Sequence, residues 1–176
     1  MNLLEKYGKL ALVAGASEGI GAAFANYLAA AGMDIILIAR RKEPLQQLAV
    51  LLTTQYKIQV TYISCDLADP GATQYILNEL NGKEVDLLVY NAALSYIGEF
   101  EKNTAENNIQ MTTVNMITPM NMAYTFGEKM LQKKQGAIIL MASLAGFQGS
   151  GFLSVYAATK AFNRVLAESR SGRAHV

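Results

Sequence analysis

Leu10-Ala11-Leu12-Val13-Ala14-Gly15-Ala16-Ser17-Glu18-Gly19-Ile20-Gly21 is the stretch that decides the fold. Leu10–Ala14 is short and apolar, as a buried strand is. Ile20–Ala31 follows with helical composition, and Gly32 suits the left-handed position just past its end. Between the two, Gly15, Gly19 and Gly21 let the backbone turn sharply and come close to a ligand. A pyrophosphate lying there would face the free N–H groups of a helix N-terminus. A tight strand-to-helix turn without ligand is the plainer alternative. Gly15 to Gly19 also fits the nucleophile elbow G-x-S-x-G. That chemistry needs a histidine base, and the only histidine is His175, in the tail. A mononucleotide P-loop needs Gly-Lys-Ser/Thr, and Ile20-Gly21-Ala22 supplies none of it.

Working outward, short apolar runs alternate with longer helical stretches. Asp34–Ala39 is a second strand, and Pro44 fits the first turn of a helix running to about Tyr56. Ile58–Ile63 is β-branched and alternating, hence a third strand. Asp69 then Pro70 reads as N-cap and first residue of a helix ending near Gly82. Asp86–Tyr90 gives a fourth strand. Thr104 to about Lys133 is one long helical stretch, which Pro119 should bend or break. Ala137–Ala142 is a fifth strand and Ser154–Ser169 a last helix. Strands apolar on both faces, alternating strictly with helices, imply an α/β fold with a doubly wound parallel sheet. Ligands in such sheets bind beyond the carboxyl ends of the strands.

Composition narrows the class. At 176 residues the chain fits one domain, able to bury roughly 70 % of its unfolded surface. With 52 % hydrophobic and 16 % charged residues, a sheet covered on both faces fits better than one with a wet side. A net charge of +1 with no basic cluster argues against nucleic acid as a partner. Cys65 is the only cysteine, so an internal disulfide is impossible and a reducing, cytoplasmic setting is expected. Glu5 and Lys6 interrupt the start of the chain, which does not resemble a signal peptide. No apolar run reaches the roughly 18 residues of a membrane span. One histidine makes a histidine-based metal site improbable, and none is expected.

The chemistry-bearing residues fall just after strands. The second strand ends Ile38-Ala39-Arg40-Arg41, with no acid at the turn. An acid there would accept from a free ribose 2′-hydroxyl, whereas arginine pairs with a 2′-phosphate, so NADP(H) is expected. After the third strand, Asp66 and Leu67 stand where an adenine could lie, or Asp66 simply caps a turn. Asn91-Ala92-Ala93 makes a small-residue turn after the fourth strand. Ser143 follows the fifth. Tyr156 and Lys160 are four residues apart and share one helix face. A phenol with a pKa of about 10 exchanges protons poorly near pH 7. An ammonium about 4 Å away would favour its phenolate by roughly 4 kcal/mol at an effective dielectric near 20. A serine beside it can orient a carbonyl oxygen.

In this order, the pieces resemble the short-chain dehydrogenase/reductase family. The resemblance runs from Gly8 to about Glu168 and rests on Ala14–Gly21, Asp66, Asn91-Ala92-Ala93, Asn115, Ser143 and Tyr156-Ala157-Ala158-Thr159-Lys160. It implies a Rossmann fold with strand order 3-2-1-4-5. It implies that Gly15, Ser17, Glu18, Gly19, Ile20 and Gly21 hold the pyrophosphate end and that Asp66 and Leu67 flank the adenine. Asn91, Ala92 and Ala93 line the cofactor path, and Asn91 also steadies the central strands. The catalytic set implied is Asn115, Ser143, Tyr156 and Lys160. Tyr156 serves as acid/base, Lys160 lowers its pKa, and Asn115 positions a water linking Lys160 to solvent. Where the family pattern has threonine, glycine and often a basic residue, this chain has Ala14, Ala93 and Glu18. Recognition of a 2′-phosphate then rests on Arg40, Arg41 and Ser17.

The resemblance also implies an NADP(H)-dependent oxidoreductase acting on a carbonyl or alcohol, and a homodimer packed through the last helix. Phe147 and Phe152 hint at an apolar substrate, or pack within a lid. Family members continue with sixth and seventh strands, whereas residues 171–176 form a polar tail. A shortened chain is therefore expected, with residues 1–170 as the NADP-binding and catalytic domain and the fifth strand as an apolar edge. The alternative is a truncated NADP-binding domain without catalysis.

Overall fold

The computed structural model describes residues 2–171. A parallel sheet of five strands is its centre: β1 (Leu10–Ala14), β2 (Asp34–Ala39), β3 (Val60–Ser64), β4 (Leu87–Tyr90) and β5 (Ala137–Leu140). Their order is β3-β2-β1-β4-β5. The chain thus begins at the centre, winds out to β3, and returns to pair β4 with the free side of β1. That reversal creates a crevice between β1 and β4, beyond their carboxyl ends.

Period-two alternation distributes the strand side chains between two cores. Ala11, Val13, Ile35, Leu37, Leu87 and Val89 face one side. There they meet α2 (Gly19–Ala30) through Leu28 and Ala29, and α3 (Lys42–Tyr56) through Leu45 and Leu52. Leu12, Ile36, Ile38, Leu88 and Tyr90 face the other side. They pack on Ile76 and Leu80 of α4 (Ala72–Leu80) and on Met122 and Phe126 of α6 (Thr118–Lys133). Burial on both faces is why these strands read as continuous apolar runs. β5 pairs only with β4 among the described residues, and all four of its residues are partly exposed, as expected for an edge.

The sequence-based boundaries shift in several places, among them β4, which starts at Leu87 rather than Asp86, and β5, which ends at Leu140 rather than Ala142. A short helix, α1 (Leu3–Tyr7), precedes β1 and was not foreseen; Asn2 caps it by accepting from the Leu4 N–H at 3.0 Å. β3 starts at Val60 rather than Ile58, because the Asp34 carboxylate takes the Gln59 N–H at 2.9 Å. Asp69 and Pro70 do not open α4. The Asp69 side chain instead accepts from the Gly71 N–H at 2.7 Å, an Asx turn that delays the helix to Ala72. α7 (Ser154–Ser171) runs two residues past the expected end. The rest of the expected polar tail, 172–176, lies outside the described residues.

The long helix breaks as Pro119 requires, but ahead of the proline. α5 (Ala105–Thr112), capped by Thr104, passes into a π-helical turn over Thr113–Ile117, and α6 resumes with Pro119 in its first turn. The Thr118 N–H goes to the Thr113 carbonyl, and Pro119 has no N–H to give. The Val114 carbonyl thereby loses both helical donors. Tyr90, buried under the turn, donates its hydroxyl to that carbonyl at 2.7 Å. Burial also pushes the Tyr90 phenol far above its ordinary range. Thr118 adds a second tie, donating to the Leu67 carbonyl at 2.8 Å. The break is therefore anchored to β4 and to the loop after β3. Among the described residues no helix is long and apolar enough to cross a membrane.

Candidate active site

Beyond the ends of β1, β2, β3 and β4 lies a cleft of about 560 Å³. Of the residues singled out in the sequence, Gly15, Ser17, Glu18, Arg40, Arg41, Asp66, Leu67, Asn91, Ala92 and Ala93 line it. Ala39, Cys65, Ala68, Leu94, Gln110 and Val114 complete the wall. Sequence reasoning missed this second group: Ala39, Cys65, Ala68 and Leu94 had only their place near strand ends as a signal, and Gln110 and Val114, on the long helical stretch, had none. Gly19, Ile20 and Gly21 are not among the lining residues. Gly21 is buried, and a Cβ there would land on the Gly15 carbonyl oxygen. Gly15 has φ +80, and its Cβ would meet the Ala92 N at 2.6 Å. The Asn91 amide donates to the Gly15 carbonyl at 3.3 Å and holds the two turns together. These glycines let β1's turn press on β4's.

Glu18 is the N-cap residue of α2, yet its side chain caps nothing. The first N–H groups of α2 have no capping side chain, as an anion site requires. The Glu18 carboxylate instead crosses to Arg41, with Oε2 to Nη2 at 2.8 Å. Arg41 also donates to the Ser17 hydroxyl at 3.5 Å. In the same cleft, burial pushes the Cys65 thiol up to about 11, helped by the carboxylates of Asp66 and Asp69. The Asp66 side chain accepts from the Ala68 N–H at 3.0 Å, so the turn-capping alternative holds alongside its place in the cleft wall.

Ser143, Tyr156 and Lys160 are not among the residues lining this cleft. Ser143 follows β5, and α7 brings Tyr156 and Lys160 to that strand's end. Lys160 is 2 % exposed and its ammonium donates to the Met141 carbonyl at 2.9 Å. Its Nζ stands 5.7 Å from the centroid of the Tyr156 ring, within cation–π range. Among the described residues no carboxylate pairs with it. Burial lowers its pKa from 10.5 to about 8. Ser143 caps the 3₁₀ turn Leu144–Phe147, its hydroxyl accepting from the Ala145 N–H at 3.2 Å. That turn sits directly on α7. A Cβ on Gly146 would lie 2.7 Å from the Ala161 N and 2.8 Å from the Lys160 carbonyl carbon. Gly146 was not foreseen, and it lets the Ser143 turn reach the lysine's helix.

Asn115 lies in the π-helical turn and is fully buried. Its side-chain oxygen accepts from the Leu94 N–H at 2.8 Å, and its amide donates to the Leu94 carbonyl at 2.8 Å and to Thr159 Oγ1 at 3.1 Å. Thr159 in turn donates to the Tyr156 carbonyl at 2.7 Å. Asn115 therefore links the cleft wall to the turn of α7 that carries Tyr156. Thr159 was likewise missed, because a threonine inside a helix carries no signal of its own. The loops after β4 and β5 are joined as well, the Gly98 N–H donating to the Phe152 carbonyl at 3.0 Å. Around them Ile97, Leu144, Phe147 and Phe152 are exposed, and the Arg164 guanidinium stacks 4.9 Å from the Phe147 ring.

A doubly wound sheet with a glycine-lined cleft at its switch point and a Ser/Tyr/Lys group at the next strand end defines a class of nucleotide-binding oxidoreductase folds. The short chain dehydrogenase family profile matches residues 9–172, and the chain belongs to that family. A 7beta-hydroxysteroid dehydrogenase of Collinsella aerofaciens is 32 % identical over 162 residues, which are 92 % of this chain and 62 % of that relative. A solved 7beta-hydroxysteroid dehydrogenase structure superposes with a TM-score of 0.92 at 31 % identity, covering 96 % of this chain and 65 % of the other. A short-chain dehydrogenase from Sphingobium yanoikuyae, solved in complex with NADPH, gives 0.87 at 31 % identity over 92 % of this chain and 63 % of that one. The chain thus spans less than two thirds of the length of these relatives.

Proposed function

We propose that this chain is an NADP(H)-dependent oxidoreductase that interconverts a carbonyl and an alcohol, with Tyr156 as the acid/base. The observation that carries this reading is the ammonium of Lys160, which pairs with no carboxylate among the described residues and is buried beside the Tyr156 ring at the end of β5. A buried lysine with no carboxylate partner is costly to keep, and a phenol that must release its proton gives it a use.

The residues fit a dinucleotide. The uncapped start of α2, reached over Gly15, Gly19 and Gly21, suits a pyrophosphate. Arg40 and Arg41, with no acid at the end of β2, suit a 2′-phosphate. Asp66 and Leu67 would flank the adenine. Asn91, Ala92 and Ala93 would run beside the nicotinamide half. When bound, the nicotinamide supplies or accepts the hydride.

In the reducing direction the Ser143 hydroxyl orients the carbonyl oxygen. Tyr156 gives that oxygen its phenolic proton, leaving a phenolate. With its pKa near 8, Lys160 is still protonated at pH 7 and stabilises that negative charge. Proton return from solvent would run past Asn115, whose carbonyl gets no N–H from Pro119. Exposed Leu144, Phe147 and Phe152 at this end support a bulky apolar substrate, in keeping with the hydroxysteroid relative. A homodimer would pack through α7, where Val165 is exposed.

Calorimetric titration with NADPH and NADH tests the cofactor, and turnover of a panel of bulky ketones tests the chemistry. Tyr156→Phe is expected to keep NADPH binding and to lower reduction by roughly 10²- to 10⁴-fold. Unchanged turnover in that variant would overturn the role of Tyr156. Binding without reduction by the wild type would leave a dinucleotide-binding domain without catalysis.

A further inference from the structure

We propose that Glu18 is a specificity residue which engages Arg41 and so weakens the discrimination in favour of a 2′-phosphate over a free 2′-hydroxyl. This deepens, and rests on, the nicotinamide-dinucleotide assignment above. The two arginines after β2 look equivalent in the sequence, but the structure separates them. Arg41 is held at 2.8 Å by the Glu18 carboxylate and reaches Ser17 at 3.5 Å. Arg40 forms no ion pair among the described residues. All four residues line the cleft.

The consequences for two ligands differ in sign. A phosphate monoester brings roughly −1.5 to −2 charges near pH 7 and prefers an open guanidinium fork. At Arg41 it meets a fork already engaged by a carboxylate, and that carboxylate repels it. An uncharged 2′-hydroxyl meets no such repulsion and can donate to the same carboxylate. Glu18 does not owe its position to helix capping, since its side chain bonds none of the α2 N–H groups. Arg40 therefore favours the phosphorylated cofactor while Glu18 opposes it through Arg41.

The test is equilibrium binding of NADPH and NADH by calorimetry to the 176-residue chain and its variants. Glu18→Gln is expected to raise the NADPH-over-NADH affinity ratio on the order of fivefold, the size of an exposed ion pair's coupling. Glu18→Ala should move it the same way. Both partners are well exposed, at 76 % and 58 %, so these variants are expected to fold as the wild type does. In an Arg41→Ala background the gain from Glu18→Gln should fall below half. A ratio that stays constant or drops in Glu18→Gln overturns the inference while leaving the cofactor assignment standing. So does a gain of equal size with and without Arg41. If neither dinucleotide binds the wild type or any variant, the cofactor assignment itself fails and this inference goes with it.

Discussion

Replacing Lys160 with methionine measures what the fold gives up to keep an unpaired ammonium inside. Lys160 is 2 % exposed, and among the described residues its one hydrogen bond is to the Met141 carbonyl at 2.9 Å. The drop in its pKa from 10.5 to about 8, at roughly 1.4 kcal/mol per unit, sets the cost of the charged form at about 3 kcal/mol. Methionine fills a similar length with an apolar chain. It forfeits the hydrogen bond to Met141, worth about 1 kcal/mol. The net gain for Lys160→Met is therefore about 2 kcal/mol at pH 7, a rise in Tm of about 4–8 °C for a chain of this size. Thermal unfolding followed by circular dichroism, without cofactor, reads it directly. The pH dependence is a second signature. Below pH 8 the lysine is protonated both folded and unfolded, so the gap between the chains is constant. Between pH 8 and 10.5 the unfolded state binds a proton that the folded state does not, so wild-type stability rises with pH and the gap closes. Cys65, raised to about 11, acts in the opposite sense above pH 9, but equally in both chains, and cancels in the difference. A variant less stable than wild type at pH 7, or a gap that persists to pH 10.5, would refute the reasoning.

Gly146→Ala should destabilise the chain by about 1–3 kcal/mol, since its methyl meets the α7 backbone at 2.7 Å. The 3₁₀ turn would have to shift Ser143, so any ketone reduction should fall further than NADPH binding, read from paired turnover and titration. Asn115→Leu removes three hydrogen bonds to Leu94 and Thr159. It should lower stability by about 2 kcal/mol or more in chemical denaturation. The Cys65 thiol, buried and raised to about 11, should react with iodoacetamide at pH 8 far more slowly than free cysteine, and at the ordinary rate once unfolded.

Much of the architecture is legible in residue order because burial on both sheet faces leaves a plain trace. Asp34–Ala39 could be bounded to the residue, since polar Asp34 opens it, all its later residues are apolar and buried, and Arg40 follows it. Boundaries slip where a side chain competes with the backbone, as Asp69 does by taking the Gly71 N–H that a helix would otherwise use. Pro119 announces a break, but not that the break is a π-helical turn. That outcome depends on Tyr90, 24 residues earlier, supplying the Val114 carbonyl with a hydroxyl. No local pattern can encode such a partner.

The same distinction governs the site. Its residues were legible because each stands at a strand end or at helical spacing: Gly15, Arg40, Asp66, Asn91, Ser143, and the pair Tyr156 and Lys160. What keeps them in place was not legible, since Gly146 and Thr159 act through contacts with other elements. Asn115 shows why the two kinds of information differ. Read as a polar residue in a helix it offers no choice between catalysis and structure. In place, its amide joins Leu94 of the cleft wall to Thr159 of the tyrosine's helix. The cleft wall and the turn that carries Tyr156 are thereby joined by a continuous run of hydrogen bonds. A site built this way tolerates change in its exposed lining more readily than in its hidden links. Substitutions at Arg40 or Arg41 should alter which cofactor binds, whereas those at Asn115 or Gly146 should disturb the relation between cleft and phenol.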